Sequence, residues 1–445
     1  MQKYMRWSGL LVVLMLVLAA CQSGGGGESA APSTGEGTPP ASAGESSTEP
    51  SPGESTEPSS GSGTGTAADC DADEFGCVEI AEGDAMIMGT ELVITGANES
   101  LGLDSQYGAE VARTMRPMIA EHEVEFNHQD DGCSPEGGTA GARALVSEEN
   151  IAAVIGTSCS GAGIPSAEIL SAEGVMLVSP SNTAPSLTAP DTREPFYART
   201  AHNDSIQGAA MATYVCEELG LTTAATIHDG SPYADQLAAV FRDEFVEQCD
   251  GEITGEEAVT VGDTDFSGVL GNLAADSPEF LYFPIFVAEG ALITQQAIET
   301  EGLEDTQLAG ADGILTPDWI SAAGEAAEGV VLSGPDLAFA GDFYEAEFLP
   351  AYTEVSNEDQ PISVFHAHAF DAYNMLADAI EAVAFTEDGT TYIPRSALRD
   401  AFFEIEGYEG ITGTLTCDEN GDCADAKISV SEVQGGEFVR IWPEE

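Results

Sequence analysis

Cysteine is the residue type in this chain whose chemistry is easiest to interpret from the sequence. Nine cysteines are too many for a reducing compartment unless they serve a metal or a catalytic site, so an oxidising compartment is expected. Cys21 stands apart near the N-terminus, and the others form local pairs that bracket turns or follow consecutive helices or strands: Cys70 and Cys77, Cys133 and Cys159, Cys216 and Cys249, Cys417 and Cys423. We interpret these pairs as disulfide bonds. A zinc site is the alternative, although no Cys-x-x-Cys motif occurs.

Other residues that could do chemistry lack the spacing that the chemistry requires. His366 and His368 are separated by one residue in a helical run, so they cannot face one metal ion on a regular helix, and a structural role is expected. The stretch from Asp418 to Asp422 lacks the ligand pattern of a calcium loop and is interpreted as a disulfide-clamped turn. The Gly-x-Ser-x-Gly of a nucleophile elbow is absent. We therefore predict a protein that is not an enzyme and needs no metal or cofactor.

The N-terminus has the pattern of an export signal with a lipid attachment site. Lys3 and Arg6 precede an apolar run that is too short to span a bilayer. Leu18-Ala19-Ala20 then leads directly into Cys21, as in a bacterial lipobox. Residues 1–20 are predicted to be a lipoprotein signal peptide, and lipidated Cys21 would anchor the protein to a membrane. An ordinary signal peptide followed by a chance cysteine is the alternative.

The segment that follows Cys21 has the composition of a flexible tether. Residues 22–69 contain no Leu, Ile, Val, Met or aromatic residue and consist largely of Gly, Ser, Thr, Pro, Ala and Glu. Such a segment cannot bury enough apolar surface to offset the entropy lost on ordering. We therefore interpret residues 21–69 as the lipidated cysteine and a disordered tether. A flexible chain of this length has a root-mean-square reach of roughly 35–40 Å.

The charge of the chain excludes one class of partner. It carries 78 acidic and 12 basic side chains, for a formal net charge of −66. Nucleic-acid binding needs clustered Lys and Arg that displace the counterions of the phosphates, so a nucleic-acid partner is excluded. The acidity is spread along the whole chain, which favours adaptation to a saline or otherwise demanding exterior over capture of a cationic ligand.

From about Cys70 onward, strand-like and helix-like patterns alternate. Ile151–Gly156 has the continuous apolar character of a buried strand, Ala140–Glu149 precedes it as a helix, and the same rhythm returns at Gln207–Leu219 (helix) and Ala224–His228 (strand). Repeated strand–helix–strand spacing is typical of parallel sheets covered by helices on both faces. The fold class predicted is α/β with two cores. Ligands of such sheets bind beyond the carboxyl ends of the strands.

The loops at those ends carry an ordered set of motifs. They read, in chain order, Asp130-Asp131-Gly132-Cys133-Ser134-Pro135, Ile155-Gly156-Thr157-Ser158-Cys159-Ser160, Val178-Ser179-Pro180-Ser181-Asn182-Thr183, Arg199-Thr200-Ala201 and His228-Asp229 with Tyr233. From about Gly83 to the C-terminus, the chain resembles the branched-chain amino-acid-binding proteins of ABC transporters. The resemblance implies a type I periplasmic-binding fold: two Rossmann-like lobes with parallel sheets, joined by three crossovers. Members of the family also carry a disulfide bond that matches Cys133–Cys159.

The resemblance also implies where the lobes begin and end. Crossovers are expected near Arg199, near Gly334 and near Gly413. Lobe one would comprise residues 83–199 and 334–410, and lobe two would comprise residues 202–332 and 412–445. The ligand would bind between them.

Eight ligand-binding residues follow from the same resemblance: Ser160, Ser181, Asn182, Thr183, Tyr233, Phe286, Asp312 and Leu101. Ser160 and Thr183 would bind a carboxylate, together with polar backbone groups of Ser181 and Asn182. Asp312, where many members have Glu, would bind an ammonium group. Tyr233, Phe286 and Leu101 would surround the ligand's side chain, and the last two stand where better-known members have Tyr and Trp.

The function implied is capture of an amino acid, branched-chain or otherwise aliphatic, outside the cytoplasm and its delivery to an ABC importer. The expected partners are the amino acid, the permease subunits of the importer and, through the lipid anchor, the cell membrane; the protein is expected to be a monomer. Two alternatives stay open at this point. One is a receptor for a short-chain amide or urea on the same fold, and the other is a ligand-sensing module for a membrane signalling partner.

Overall fold

The structure is a computed structural model that describes residues 65–339 and 341–443. The predicted signal peptide, Cys21 and nearly all of the predicted tether lie outside these residues. A short helix begins at Ala67, so the described fold starts within the last residues that we assigned to the tether. A search of the described helices finds none long and apolar enough to cross a membrane.

The described residues form strands and helices that alternate along most of the chain. The strands are β1 (Cys77–Ala81), β2 (Met86–Leu92), β3 (Met118–Ile119), β4 (His122–Asp130), β5 (Ile151–Gly156), β6 (Met176–Ser179), β7 (Tyr197–Arg199), β8 (Thr223–His228), β9 (Glu252–Ala258), β10 (Phe280–Tyr282), β11 (Gln307–Gly310), β12 (Val331–Pro335), β13 (Phe385–Glu387), β14 (Thr390–Pro394), β15 (Tyr408–Gly410), β16 (Gly413–Leu415), β17 (Ile428–Gln434) and β18 (Glu437–Trp442). The α-helices are α1 (Ala67–Ala72), α2 (Glu99–Met115), α3 (Pro135–Val146), α4 (Ser160–Ala172), α5 (Asp204–Thr213), α6 (Pro232–Cys249), α7 (Ser267–Ala274), α8 (Val287–Ala297), α9 (Pro317–Ala323), α10 (Leu349–Ser356), α11 (His366–Val383) and α12 (Arg395–Phe403).

The first sheet has the strand order β3-β4-β2-β5-β6-β7, and only the β3–β4 pair is antiparallel. Every residue of β5 is buried, as expected for a parallel strand with helices on both faces. Val154 packs with residues of α3 and α4, whereas its neighbours Ala153 and Ile155 pack with residues of α2 and α11. The alternation places one helix pair on each face of the sheet.

The second sheet has the strand order β18-β17-β12-β11-β10-β8-β9. Strands β8 to β12 run parallel, and β17 and β18 are added antiparallel at one edge. Helices α5 to α9 contribute side chains to one apolar cluster around this sheet. Small separate ladders are formed by β1, β14 and β13, and by the hairpin β15–β16.

The chain crosses three times between one sheet with its helices and the other sheet with its helices. It leaves the first sheet after β7, returns after β12 to build α10, α11 and α12, and re-enters the second sheet at β17. This arrangement confirms the predicted α/β fold class with two sheets and three crossovers. Leu415, Cys417 and Cys423 pack within the apolar cluster of the first sheet. The lobe boundaries themselves stay a prediction.

Four disulfide bonds join the described cysteines, and they are the same local pairs that the sequence suggested: Cys70–Cys77, Cys133–Cys159, Cys216–Cys249 and Cys417–Cys423. The Cys133–Cys159 bond joins the loop after β4 to the start of α4, beyond the carboxyl ends of two strands of the first sheet. The Cys417–Cys423 bond closes the turn in which Asp418 accepts the backbone N–H groups of Asn420 and Asp422.

The two histidines of α11 are both buried. His366 Nδ1 lies 3.0 Å from a carboxylate oxygen of Asp104, and its Nε2 lies 2.7 Å from the hydroxyl of Tyr344. Asp104 also accepts the backbone N–H groups of Phe365 and His366, so it caps the first turn of α11 from α2. His366 therefore stabilises the packing of two helices.

Candidate functional site

Polar side chains meet where the adjacent strands β5 and β6 end. Ser160 is the first residue of α4, is almost fully buried, and its hydroxyl accepts the backbone N–H of Ala184 at 3.2 Å. Thr183 is also buried, and its hydroxyl has no hydrogen-bond partner among the described residues. A helix N-terminus favours a negative group nearby. The two hydroxyls and the start of α4 are therefore suited to an anionic group.

The backbone N–H groups of Ser181 and Asn182, which were predicted to contribute to a carboxylate site, are bonded within their own loop. Both N–H groups donate to the hydroxyl of Ser179, at 3.2 and 2.8 Å, and so are already bonded within the loop. The Asn182 side chain donates to the carbonyl of Thr157 at 2.9 Å and accepts from Tyr197. In this structure Ser181 and Asn182 shape the loop, and the hydroxyls of Ser160 and Thr183 lie beside it.

A buried arginine holds the same loop in place. Arg199 donates through Nη1 to the carbonyls of Asn182 and Ala184, at 3.1 and 2.9 Å. Its Nε pairs with Asp422, which lies in the disulfide-clamped turn near the C-terminus. The charge of Arg199 holds the pKa of Asp422 below its usual range, although burial alone would raise it. Resemblance of Arg199-Thr200-Ala201 to the family motif placed this arginine near a crossover but did not reveal its hydrogen bonds.

A carboxylate and two aromatic rings form the wall contributed by the second sheet. Asp312 is buried, and its Oδ1 accepts from Gln207 Nε2 at 2.8 Å and from the Tyr233 hydroxyl at 3.1 Å. The rings of Tyr233 and Phe286 lie 5.3 Å apart between centroids. Leu101 of α2 belongs to the same apolar cluster, although α2 packs on the first sheet. Asp312 thus contacts Tyr233, and Tyr233 lies beside Phe286.

Asp204 lies close to the predicted residue Asp312 but was not among the residues predicted from the sequence. It is the first residue of α5, is fully buried, and neither carboxylate oxygen has a hydrogen-bond partner in the described part of the chain. Its backbone N–H donates to the carbonyl of Thr183 at 2.9 Å, which connects α5 to the loop after β6. Nothing in the local sequence distinguishes Asp204 from the other acidic residues of the chain.

Asp204 and Asp312 form an electrostatically strained pair. Ligand-type atoms of these two carboxylates and of His202 all lie within 4.8 Å of one another. Burial and the neighbouring Asp312 raise the pKa of Asp204 well above its usual range, despite the opposing effects of Arg199 and the Thr183 hydroxyl, and burial also raises the pKa of Asp312. Two buried carboxylates this close are stabilised by a positive group between them.

The two sides of the site are held together by direct hydrogen bonds. Ser186, from the loop after β6, donates its backbone N–H to the side chain of Gln236 in α6 at 2.9 Å, and Gln236 Nε2 returns a bond to the Ser186 hydroxyl. Thr316, which precedes α9, donates to the carbonyl of Ile362 at 3.1 Å. Ser160, Thr183 and Asp312 are all buried.

Residues 89–437 match the model of a protein family described as periplasmic binding protein. The match spans both sheets and the residues described above. The chain belongs to the periplasmic binding protein family. It is accordingly a solute-binding protein rather than an enzyme, and members of this family act outside the cytoplasm.

Two individual relatives show which kind of periplasmic binding protein this chain is similar to. The Leu/Ile/Val-binding protein homolog 3 of Brucella melitensis is 27% identical over 353 residues, which cover 78% of this chain and 91% of the relative. The structure of a leucine binding protein, LivK, of Thermotoga maritima matches with a TM-score of 0.72 at 25% identity and covers 80% of this chain and 98% of that chain. These likenesses confirm the predicted resemblance to branched-chain amino-acid-binding proteins.

A third match shows the fold alone. An ABC transporter solute binding protein of Rhodopseudomonas palustris in complex with benzoate has a TM-score of 0.69 at 19% identity, and it covers 80% of this chain and 95% of that chain. A shared fold therefore does not by itself define the ligand.

Proposed function

We propose that this periplasmic binding protein captures an α-amino acid with an aliphatic side chain and delivers it to an ABC importer. The observation that carries the proposal is the pair of buried carboxylates, Asp204 and Asp312, next to a loop whose Thr183 accepts the Asp204 backbone N–H and which contacts Ser160 at the N-terminus of α4. An amino acid has one cationic and one anionic group on neighbouring atoms, so it can satisfy both ends of such a site. A closed site that bound only an anion would leave both carboxylates without a positive partner.

The anionic end of the ligand would meet Ser160 and Thr183. Both side chains are hydroxyl donors, and the Thr183 hydroxyl forms no hydrogen bond of ordinary geometry with the described residues, although it lies near the Asp204 carboxylate. The N-terminus of α4 adds favourable dipole charge for a carboxylate. Ser181 and Asn182 would contribute indirectly, by holding Thr183 in position through the bonds of their loop.

The side chain of the ligand would meet Tyr233, Phe286 and Leu101. The Tyr233 hydroxyl is engaged with Asp312 and with the backbone N–H of Gly313, so the aromatic ring rather than the hydroxyl is left for the ligand. Phe286 and Leu101 add apolar surface without further hydrogen-bonding groups. Such a surface favours aliphatic side chains over polar ones.

Isothermal titration calorimetry with leucine, isoleucine, valine and alanine tests the proposal directly. Isobutyramide, urea and benzoate serve as comparison ligands, because none of them has an ammonium group. We expect a branched-chain amino acid to bind most tightly, and a thermal-shift assay should then show stabilisation by about 2.7 kcal/mol at 100 times Kd. Tighter binding of an amide, urea or benzoate would contradict the proposal.

Ser160→Ala tests the anionic end of the site. Loss of one hydroxyl donor is expected to cost about 1–3 kcal/mol of binding free energy, which is roughly a 5- to 150-fold rise in Kd. Calorimetry on folded variants measures it, with thermal unfolding as a check because Ser160 also accepts the N–H of Ala184. Ser147→Ala, an exposed serine at the end of α3, is the matched control. Equal Kd values for the two variants would exclude Ser160 from the site.

Cys21→Ser tests the proposed lipid anchor. If Leu18-Ala19-Ala20-Cys21 directs acylation of the cysteine, the variant should lose palmitate labelling and move from the membrane fraction to the soluble fraction. The wild-type protein, expressed in parallel in a bacterial host, is the reference for both measurements. Labelling that persists in Cys21→Ser would show that the lipid is attached elsewhere.

A further inference from the structure

The part of the site that would bind the ligand's ammonium group also contains a histidine, which an ammonium group does not require. His202 lies directly after the first crossover, is buried, and has one ring nitrogen within 4.8 Å of ligand-type oxygens of Asp204 and Asp312. All three residues lie between β7 and β12, so the cluster is held by one side of the site. One imidazole nitrogen close to two carboxylates is a ligand set that transition metals use.

The hydrogen bonding of these residues is a second observation, and it does not depend on the distances between their ligand-type atoms. Both oxygens of Asp204 are fully buried without a hydrogen-bond partner in the part of the chain that the structure describes, and Nδ1 of His202 is likewise unpartnered. Buried polar atoms are normally satisfied, so these atoms mark an unfilled coordination or hydrogen-bonding site. The other ring nitrogen of His202 contacts the side-chain oxygen of Gln207, whose Nε2 donates to Asp312. Gln207 thus orients His202 and Asp312 together, as residues behind metal ligands commonly do.

We propose that His202, Asp204 and Asp312 form a binding site for a divalent transition-metal ion such as Zn²⁺. One nitrogen and two carboxylate ligands suit Zn²⁺, Co²⁺ or Ni²⁺ better than Mg²⁺ or Ca²⁺, which prefer all-oxygen sites. A metal ion at this place neutralises the two carboxylates in the same way as an ammonium group. Metal and amino acid therefore compete, and this second part of the inference rests on the proposed function.

Titration of the full chain with ZnCl₂ in a non-chelating buffer, without amino acid, tests the site. The wild-type protein should bind one zinc ion tightly, above weak binding by surface carboxylates. His202→Asn should weaken that binding by at least about tenfold, because a neutral nitrogen ligand is lost. His368→Asn is the matched control, since His368 is another buried histidine with an unpartnered Nδ1 but lies outside the cluster. Equal zinc affinity in wild type and His202→Asn would overturn the proposal.

A second measurement needs no variant and keeps the test sound if His202→Asn folds poorly. Co²⁺ added to the wild-type protein should give the visible d–d absorption of a protein-bound ion, and Zn²⁺ should abolish it. With Zn²⁺ at 100 times its Kd, the apparent Kd for leucine should rise about 100-fold. Absence of both zinc binding and the cobalt spectrum would refute the metal site. Absence of leucine binding to the metal-free protein would count against the proposed function alone.

Discussion

Asp312→Asn is expected to weaken binding of a branched-chain amino acid by roughly 30- to several-thousand-fold. The substitution preserves size and an acceptor oxygen for Gln207 and Tyr233 but removes the charge that pairs with the ligand's ammonium group. A buried charge that loses its partner costs about 2–5 kcal/mol. Calorimetric Kd values for leucine in wild type and variant measure the effect, and a thermal unfolding curve shows whether the variant is folded.

Asp318→Asn is the matched control for this experiment. Asp318 is exposed in the first turn of α9, so its replacement removes the same charge from the same segment without touching the site. Its leucine affinity should equal that of the wild type. A ligand without an ammonium group, such as isobutyramide, should lose little affinity in Asp312→Asn. Unchanged leucine affinity in Asp312→Asn would remove Asp312 from the proposed site.

Glu91→Gln is expected to stabilise the protein above pH 8 by on the order of 3–5 kcal/mol. Glu91 is fully buried at the end of β2, where it accepts from Ser166, and its Oε1 has no partner among the described residues. Burial, with a smaller contribution from the neighbouring Asp131, raises the pKa of Glu91 from 4.5 to about 8. Glutamine fits the same space, keeps an acceptor for Ser166 and has no charge to bury.

The direction of the pH dependence follows from proton binding. Between pH 4.5 and about 8 the folded state retains the proton on Glu91 while the unfolded state releases it, so stability falls as the pH rises. The gain in Glu91→Gln should be near zero at pH 4.5 and reach its full value above pH 8. Urea unfolding across this range measures it, with Glu123→Gln, an exposed residue of β4, as the control. A gain that does not change with pH would show that Glu91 is ionised in the folded protein.

Strand–helix alternation could be predicted from the sequence because it depends on local periodicity. Ile151–Gly156 is a strand with the predicted bounds, since six apolar or small residues can only be buried on both faces. The first residues of the helices could not be predicted as well from the sequence. The helix predicted at Ala140 begins at Pro135, because Ser134 caps it through a bond to the N–H of Gly137. Similarly, α5 begins three residues before the predicted Gln207, because Asn203 caps it.

The candidate site residues could be named from the sequence only through the resemblance, and their role in ligand binding stays a prediction. Asp312 and Tyr233 lie in hydrogen-bond contact, and Phe286 and Leu101 belong to the same cluster. Asp204 was missed because a chain with 78 acidic residues gives no local sign of which carboxylate is buried. The bonds from the N–H groups of Ser181 and Asn182 to the Ser179 hydroxyl could not be predicted from the sequence, because they depend on the conformation of the loop, and the ligand-binding role of both residues stays a prediction.

The pairing of Arg199 with Asp422 has a consequence for the order in which the protein matures. The loop that carries Asn182 and Thr183 is held by Arg199, whose carboxylate partner lies 223 residues later in the chain. The second sheet also depends on residues near the end of the chain, since β12 pairs with β17. Contacts this distant form slowly. A nascent chain therefore cannot hold this loop in its final position until synthesis is nearly finished.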